Sequence, residues 1–123
     1  MITSVGVSEV IDWLAGNTAT APTHIGMGTS NTKPTTGDTA LASEVSPRIA
    51  FDVVKTLPSA NKNAVKFIIQ ISTSQLNGSV LKEMGLFNGA SGGDCLARAT
   101  FVDIDKDATI DLEVEFEVQL VIL

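Results

Sequence analysis

The chain has 123 residues, 44% of them hydrophobic, and a formal charge of −6 at neutral pH. That length fits a single domain, residues 1–123, with one core, and the apolar fraction argues against wholesale disorder. The negative charge argues against nucleic acid as a partner, because sequence-independent binding needs Lys and Arg to replace phosphate counterions.

Membrane insertion and cysteine chemistry are also disfavoured by the sequence. No apolar run approaches the roughly twenty residues of a membrane span, and the amino end lacks the basic start and apolar centre of a signal peptide. We therefore expect synthesis in the cytoplasm and no membrane partner. The single cysteine, Cys95, excludes an intrachain disulfide and a cysteine-based zinc cluster.

Residues 1–20 predict a short helix followed by a linker. The helix is expected over Ser8–Ala15 (SEVIDWLA), with Ser8 as its N-cap and Gly16 as its stop. A helix of about two turns is not stable alone, so its apolar side chains need a surface to pack on. It could cap one end of the domain or dock to a neighbouring subunit. The candidate docking residues are Val10, Trp13 and Leu14.

A short strand is predicted over Thr23–Gly28 (THIGMG), followed by a polar loop over residues 29–46. This loop is rich in Thr, Ser, Gly and Pro and is long for a compact domain, which indicates a functional loop or one pinned by a partner. Within it, Asp38–Val45 could form one helical turn.

Strands then recur at intervals near ten residues, with turn residues between them. No helices alternate with these strands, so the spacing favours a sandwich or barrel over a parallel sheet. Of the strands named next, Arg48–Thr56 and Asn63–Ser72 are expected to form an antiparallel hairpin. The predicted strands are Arg48–Thr56, Asn63–Ser72, Ser79–Phe87 and Cys95–Val102, with turns at Leu57–Asn61, Ser72–Gly78, Asn88–Asp94 and Asp103–Asp107.

The closing segment, Ala108–Leu123, alternates apolar and polar residues without a break until Gln119, which predicts a long strand with one apolar and one acidic face. Such a strand would be more than twice the usual length, so it must bend, bulge or project. We expect the acidic face to be solvated, with a neighbour's lysines or bound cations as alternatives. Near the end Val121 and Leu123 fall on the acidic side, which predicts cover on both faces there, in an interface.

Catalytic groups are sparse. The only histidine is His24, and there is no Gly-x-Ser-x-Gly elbow, so we predict no enzyme, no cofactor and no small-molecule substrate. An enzyme would need a concave site around His24. We expect this imidazole to be a structural, hydrogen-bonded group and Cys95 to be a small core residue.

The acidic turn predicted at Asp103–Asp107 imitates the opening of a calcium loop. The match fails because Ala108 stands where that loop needs glycine and Val114 where it needs glutamate. A loose surface cation site is a weak alternative. Its ligands would be Asp103, Asp105 and Asp107.

Two passages carry a resemblance. Ala21–Arg48 has a proline, a short strand ending in Gly-x-Gly, a Thr/Pro loop, and then Thr-Ala-Leu, Glu and Arg. Leu81–Arg98 has a Glu-Met-Gly-Leu-Phe-Asn element, a Gly-Gly hairpin and a Leu-Ala-Arg strand. In this order they resemble a family of small structural modules of tailed bacteriophages and related archaeal viruses, found in tail-fibre, baseplate and particle-surface proteins.

The resemblance implies a non-catalytic β-sandwich protein of the virion, made in the host cytoplasm. It would form homo-oligomers and dock to other virion proteins, with a tail, baseplate or fibre position slightly favoured. A capsid decoration or turret protein on the head is the alternative. A receptor- or glycan-binding domain that uses the Asn88–Asp94 loop is the hypothesis from a different class.

Taken together, the sequence predicts an all-β fold: an antiparallel β-sandwich with a short N-terminal helix and a long C-terminal strand. Within it we expect a buried pair of Arg48 and Glu83. Gly85 is expected to permit a bulge that directs Leu86 and Phe87 into the core.

Overall fold

The computed structural model of the protein describes residues 1–58 and 62–121. It shows two antiparallel sheets and one amino-terminal helix, which confirms the predicted all-β sandwich with a short helix and a C-terminal strand. In chain order the elements are α1 (Ser4–Leu14), β1 (His24–Gly28), β2 (Glu44–Ala50), β3 (Val53–Pro58), β4 (Lys62–Ile71), β5 (Ser79–Phe87), β6 (Cys95–Lys106) and β7 (Leu112–Val121).

The four-stranded sheet has the order β2-β1-β5-β6, and the three-stranded sheet has the order β3-β4-β7. The predicted strand Arg48–Thr56 is therefore two strands, β2 and β3, in different sheets. The chain crosses between the sheets at Phe51 and Asp52. The amide of Phe51 still donates to Thr23 O beside β1, whereas the amide of Asp52 donates to Ile68 O in β4.

The C-terminal strand β7 is paired with β4 over ten consecutive residue pairs, in which Phe116 faces Phe67. Phe116 is buried, and the glutamates on the other face are exposed, as the alternation predicts. The strand begins at Leu112 and not at Ala108, because a turn precedes it in which the amide of Ile110 donates to Asp107 O. It is consequently shorter than expected, and its register with β4 is unbroken. The side chains of Val121 and Leu123 lie outside the described ones.

The main core lies between the sheets and takes side chains from both. The predicted apolar face of β4 is confirmed, since Phe67, Ile69 and Ile71 are buried and Val65 packs against them. Alternation along the strands places every second residue inside. The other buried members are Ile25, Met27, Ile49, Leu76, Leu81, Leu86, Leu96, Ala97 and Phe116.

The helix begins four residues earlier than the sequence predicts. Thr3, not Ser8, is the N-cap, and its hydroxyl accepts a hydrogen bond from the amide of Gly6 at 3.0 Å. The same hydroxyl is 2.6 Å from Cys95 O and donates to that carbonyl. The cap thus depends on a contact with β6, which local sequence does not reveal.

Two further expectations are corrected. The predicted turn at Asp103–Asp107 is wrong because β6 continues to Lys106, paired with β5 as far as Ser79. Asp38–Val45 forms no helical turn; it is loop, and β2 begins at Glu44. Leu57 and Pro58 of the predicted turn Leu57–Asn61 belong to β3, and its residues 59–61 fall outside the described residues.

Candidate functional site

Residues 29–43, here called the covering loop, lie across the outer face of the four-stranded sheet. The loop can approach closely because β1 and β5 carry glycines on that face. A Cβ on Gly28 would stand 2.5 Å from Glu83 Oε2 and 2.6 Å from Ser43 O. A Cβ on Gly85 would stand 2.8 Å from Leu41 Cδ2. Side chains at these positions would push the loop away from the sheet.

The centre of this contact is the carboxylate of Glu83, whose side chain has no exposed surface. Three backbone amides of the covering loop donate to it: Ala42 to Oε1 at 3.0 Å, and Ser43 and Ser30 to Oε2 at 2.9 and 3.2 Å. The guanidinium of Arg98 donates to Oε1 through Nε at 3.1 Å and Nη2 at 2.9 Å. One buried carboxylate therefore joins two strands to both ends of the loop.

Arg98 extends the network in the other direction and is itself 1% exposed. Its Nη2 donates to Thr32 O at 2.7 Å, and its Nη1 donates to Asp38 Oδ2 at 3.0 Å. Burial opposes the charge on Arg98, but the hydrogen bonds to Asp38 and Glu83 outweigh it and raise the pKa of the guanidinium. Arg98 therefore stays charged, as a buried partner for a carboxylate must.

Asp38 is held in place by its own loop. The amide and the hydroxyl of Thr35 both donate to its carboxylate at 2.9 Å. These two hydrogen bonds, aided by Arg98, lower the pKa of Asp38 below its ordinary value of 3.8. The loop is thus bound to the sheet at Asp38 as well as at Glu83.

The predicted pair of Arg48 and Glu83 is wrong. Strand β1 lies between β2, which carries Arg48, and β5, which carries Glu83, whereas Arg98 is on the strand next to β5. Arg48 instead forms a two-pronged ion pair with Glu44, at 2.8 and 3.1 Å. Its guanidinium lies 3.6 Å from the centre of the Phe87 ring.

The predicted bulge at Gly85 is also wrong. Gly85 pairs regularly with Gly26 on one side and Arg98 on the other, and the register shifts lie nearby, between Leu81 and Glu83 and at Leu86–Phe87. The glycine instead permits a close approach of the covering loop, since a Cβ there would stand 2.8 Å from Leu41 Cδ2. Leu86 enters the main core as expected, but Phe87 faces the other way and forms a small cluster with Leu41 and Cys95 under the covering loop.

The Asn88–Asp94 hairpin loop is held by hydrogen bonds from Arg48 and within the loop itself. Arg48 Nη1 donates to Gly89 O at 3.0 Å and to Gly92 O at 2.6 Å. The Asn88 side chain accepts from the amide of Asp94 at 2.8 Å. Arg48 therefore links this loop to β2, and a glycan-binding role for the loop stays a prediction.

Cys95 is fully buried, which confirms it as a core residue, and burial raises the pKa of its thiol to about 11. His24 Nδ1 lies 2.7 Å from the hydroxyl of Thr23, so the ring is hydrogen-bonded as expected.

The acidic residues of β6 and the turn that follows it do not converge on a cation site. Asp103 lies 3.8 Å from Lys82, and Asp107 accepts from the amide of Thr109 at 2.8 Å. Across residues 1–58 and 62–121, the structure places no group of three or more His, Cys, Asp or Glu where it could hold a metal ion. The weak cation site of Asp103, Asp105 and Asp107 therefore gains no support.

The helix α1 is bound to the sandwich through its first half only. A Cβ on Gly6 would overlap the carbonyl oxygen of Leu96, so the glycine lets the helix touch β6 directly. Beyond Gly6 the apolar side chains are uncovered, and Trp13 is 71% exposed. Of the two alternatives for the helix, the one in which these side chains cap the domain is therefore not met, and docking to a neighbouring subunit stays a prediction. The exposed set, here called the helix ridge, comprises Val7, Val10, Ile11, Trp13 and Leu14.

An apolar cleft of about 250 Å³ opens beside the helix, between the two sheets. It lies on the side where β6 and β7 form the edges of their sheets. Val10 of the helix ridge forms one of its walls. The other lining side chains include Ile2, Val65, Phe67, Leu86, Leu96 and Val118.

Comparison of the chain with protein-family models, with curated proteins and with solved structures found no match. Among the described residues, no helix has the length and apolar character needed to cross a membrane. The features that bear on function are therefore the covering loop, the helix ridge and the apolar cleft.

We predict that Glu83→Ala lowers the free energy of unfolding by about 3–5 kcal/mol, because it leaves the buried Arg98 and three loop amides without their acceptor. Glu115→Ala is the matched control. It removes an exposed carboxylate that pairs with Lys66 at 3.3 Å and should cost about 1 kcal/mol or less. Urea unfolding of both variants measures the difference. Equal, small losses would show that Glu83 does not secure the loop.

We also predict a pH dependence that originates at Asp38. Its pKa is lower in the folded protein than the ordinary 3.8, so its carboxylate stabilises the fold above that pH. The contribution is lost as the pH falls through the folded pKa. The stability difference between wild type and Asp38→Asn should therefore shrink on acidification below 3.8, as followed by urea unfolding. A difference that stays constant from neutral to strongly acidic pH would contradict this assignment.

Proposed function

We propose that the chain is a structural protein of a tailed virus, built into the virion, which self-associates and docks to other virion proteins. A tail, baseplate or fibre position is favoured over the head because the resemblance includes the Glu-Met-Gly-Leu-Phe-Asn element. No catalytic role is part of this proposal.

The positions that carry the resemblance support a scaffold role, because they meet in one place. Ala21–Arg48 supplies β1, the covering loop and most of β2, and Leu81–Arg98 supplies β5 after its first residues and the start of β6. These four strands form one sheet. Within it Glu83, Gly85 and Arg98 secure the covering loop. In this chain the residues of the two resembling passages therefore stabilise the fold.

The single observation that carries the proposal is the exposure of the helix ridge. Five large apolar side chains, each between 45 and 71% exposed, follow one another on a helix of eleven residues. Their combined exposed surface is about 500 Å², near the upper end of the largest apolar patch on a typical monomer. An apolar patch of this size is often a functional surface. In this domain the buried polar groups are hydrogen-bonded within the chain, whereas the apolar helix ridge is exposed. That combination fits a component of an assembly.

The test is the composition of purified virus particles. Quantitative mass spectrometry should find the chain in washed particles at a constant ratio to the major capsid protein, which serves as the internal standard. A few copies per particle would fit the tail, whereas many copies would contradict that placement and favour the head. Loss of the chain from particles on purification, at the same rate as host proteins, would contradict a virion role.

A further inference from the structure

We infer that the helix ridge of one chain occupies the apolar cleft of a second copy of this chain. The inference deepens the proposed function and rests on the self-association that it includes. The partner is an identical chain, and the contact is made by Trp13, with its neighbours, in the apolar cleft between the two sheets.

One side of α1 runs from the contact with β6 to the exposed Trp13. Gly6, Val10 and Trp13 follow at intervals of four and three residues and therefore share one side of α1. At Gly6 that side is packed on β6, and at Val10 it forms a wall of the cleft. Trp13, one turn further on, is not part of that wall, and its indole is 71% exposed. The contact surface of the helix thus continues beyond its own domain.

The cleft has the size and the polarity to hold an indole. An apolar cavity of about 150 Å³ suffices to hold a benzene ring. The cleft, at about 250 Å³, has room for an indole. Apart from Glu9, the side chains that line it are aliphatic or aromatic, and an apolar group is the occupant that such walls favour.

Area favours a second copy as the source of that group, and charge confines the contact to an uncharged surface. The chain carries a net charge of −6, so copies repel one another except where an uncharged surface is available. Two carboxylates stand beside the ridge and keep their charge: Glu9 accepts from the amide of Thr20 at 3.2 Å, and Asp12 accepts from the Asn17 side chain at 3.5 Å. The contact between copies must therefore be made by the apolar side chains of the ridge. A ridge of about 500 Å² seated on a second copy covers a comparable area there, so the contact reaches the roughly 1,000 Å² that a specific interface needs.

The presence of both halves on each copy supports the same conclusion. Each chain offers a ridge and, beside it, a cleft, so a contact between two copies covers two exposed apolar features at once. Such a contact can be reciprocal about a twofold axis or can run from copy to copy around a ring. In either arrangement Trp13 enters the cleft of another chain.

The experiment uses the purified full chain. Trp13 is the only tryptophan and there is no tyrosine, so its fluorescence reports the burial of this one side chain. Sedimentation velocity and emission spectra are recorded over the same range of protein concentrations. We expect association with rising concentration and, in parallel, a blue shift of the emission together with protection from acrylamide quenching.

Two variants test the contact from opposite sides. Trp13→Ser should weaken association by at least about 30-fold, the effect of removing a central aromatic contact. Val118→Phe fills the cleft from within and should prevent association while Trp13 is still present; its melting curve establishes that it is folded. Val102→Ser is the control, since Val102 is also apolar and 88% exposed but lies on β6 away from the ridge. It should associate like wild type.

The inference is overturned if Trp13→Ser associates as wild type does, or if the associated wild type keeps the emission of a water-exposed indole. It is also overturned if the wild-type chain stays monomeric at all concentrations. None of these outcomes decides whether the chain is part of the virion, because that is read from the composition of the particles. Loss of the chain from particles would conversely leave a measured Trp13 contact intact.

Discussion

The fold depends most on one constraint, which is the burial of the Glu83 carboxylate. A charged group cannot be buried without partners. Removing an ion from water costs several kcal/mol unless hydrogen bonds and an opposite charge replace the water. Here Arg98 supplies the charge, and amides from both ends of the covering loop supply the hydrogen bonds. The course of the loop and the glycines beneath it follow from that requirement. Gly28, for instance, leaves the space that the Glu83 side chain fills.

The sequence predicted the parts of the fold that depend on local pattern. Alternation marked the C-terminal strand and the inner face of β4, and turn residues marked the hairpin before β6. Local sequence pattern does not predict which side chains pair across the sheet. Glu83 was assigned to Arg48 because both lie in the resembling passages, but strand order decides, and β1 separates their strands. Arg98 gave a usable signal: it is a charged residue between two alanines in an apolar strand.

Other misses have the same origin in contacts between distant residues. The helix starts at Ser4 because Thr3 is held by the Cys95 and Leu96 carbonyls, although valine and glycine in the first turn are weak helix formers. Val10 and Trp13 were expected to be covered, and within the chain they are not. The polar network satisfies itself, while the helix ridge remains exposed. That contrast between a closed polar interior and an open apolar surface supports our proposal that the molecule is a component for assembly.

Amide hydrogen exchange tests most directly whether Glu83 fixes the covering loop. The amides of Ser30, Ala42 and Ser43 donate to its carboxylate, whereas the exposed amide of Thr39 donates to no described residue. The account predicts that the first three exchange slowly, at rates close to those of the core strands, and that Thr39 exchanges rapidly. If all four amides exchange at the same fast rate, the loop is not held by the buried carboxylate, and the account of the fold given above is wrong.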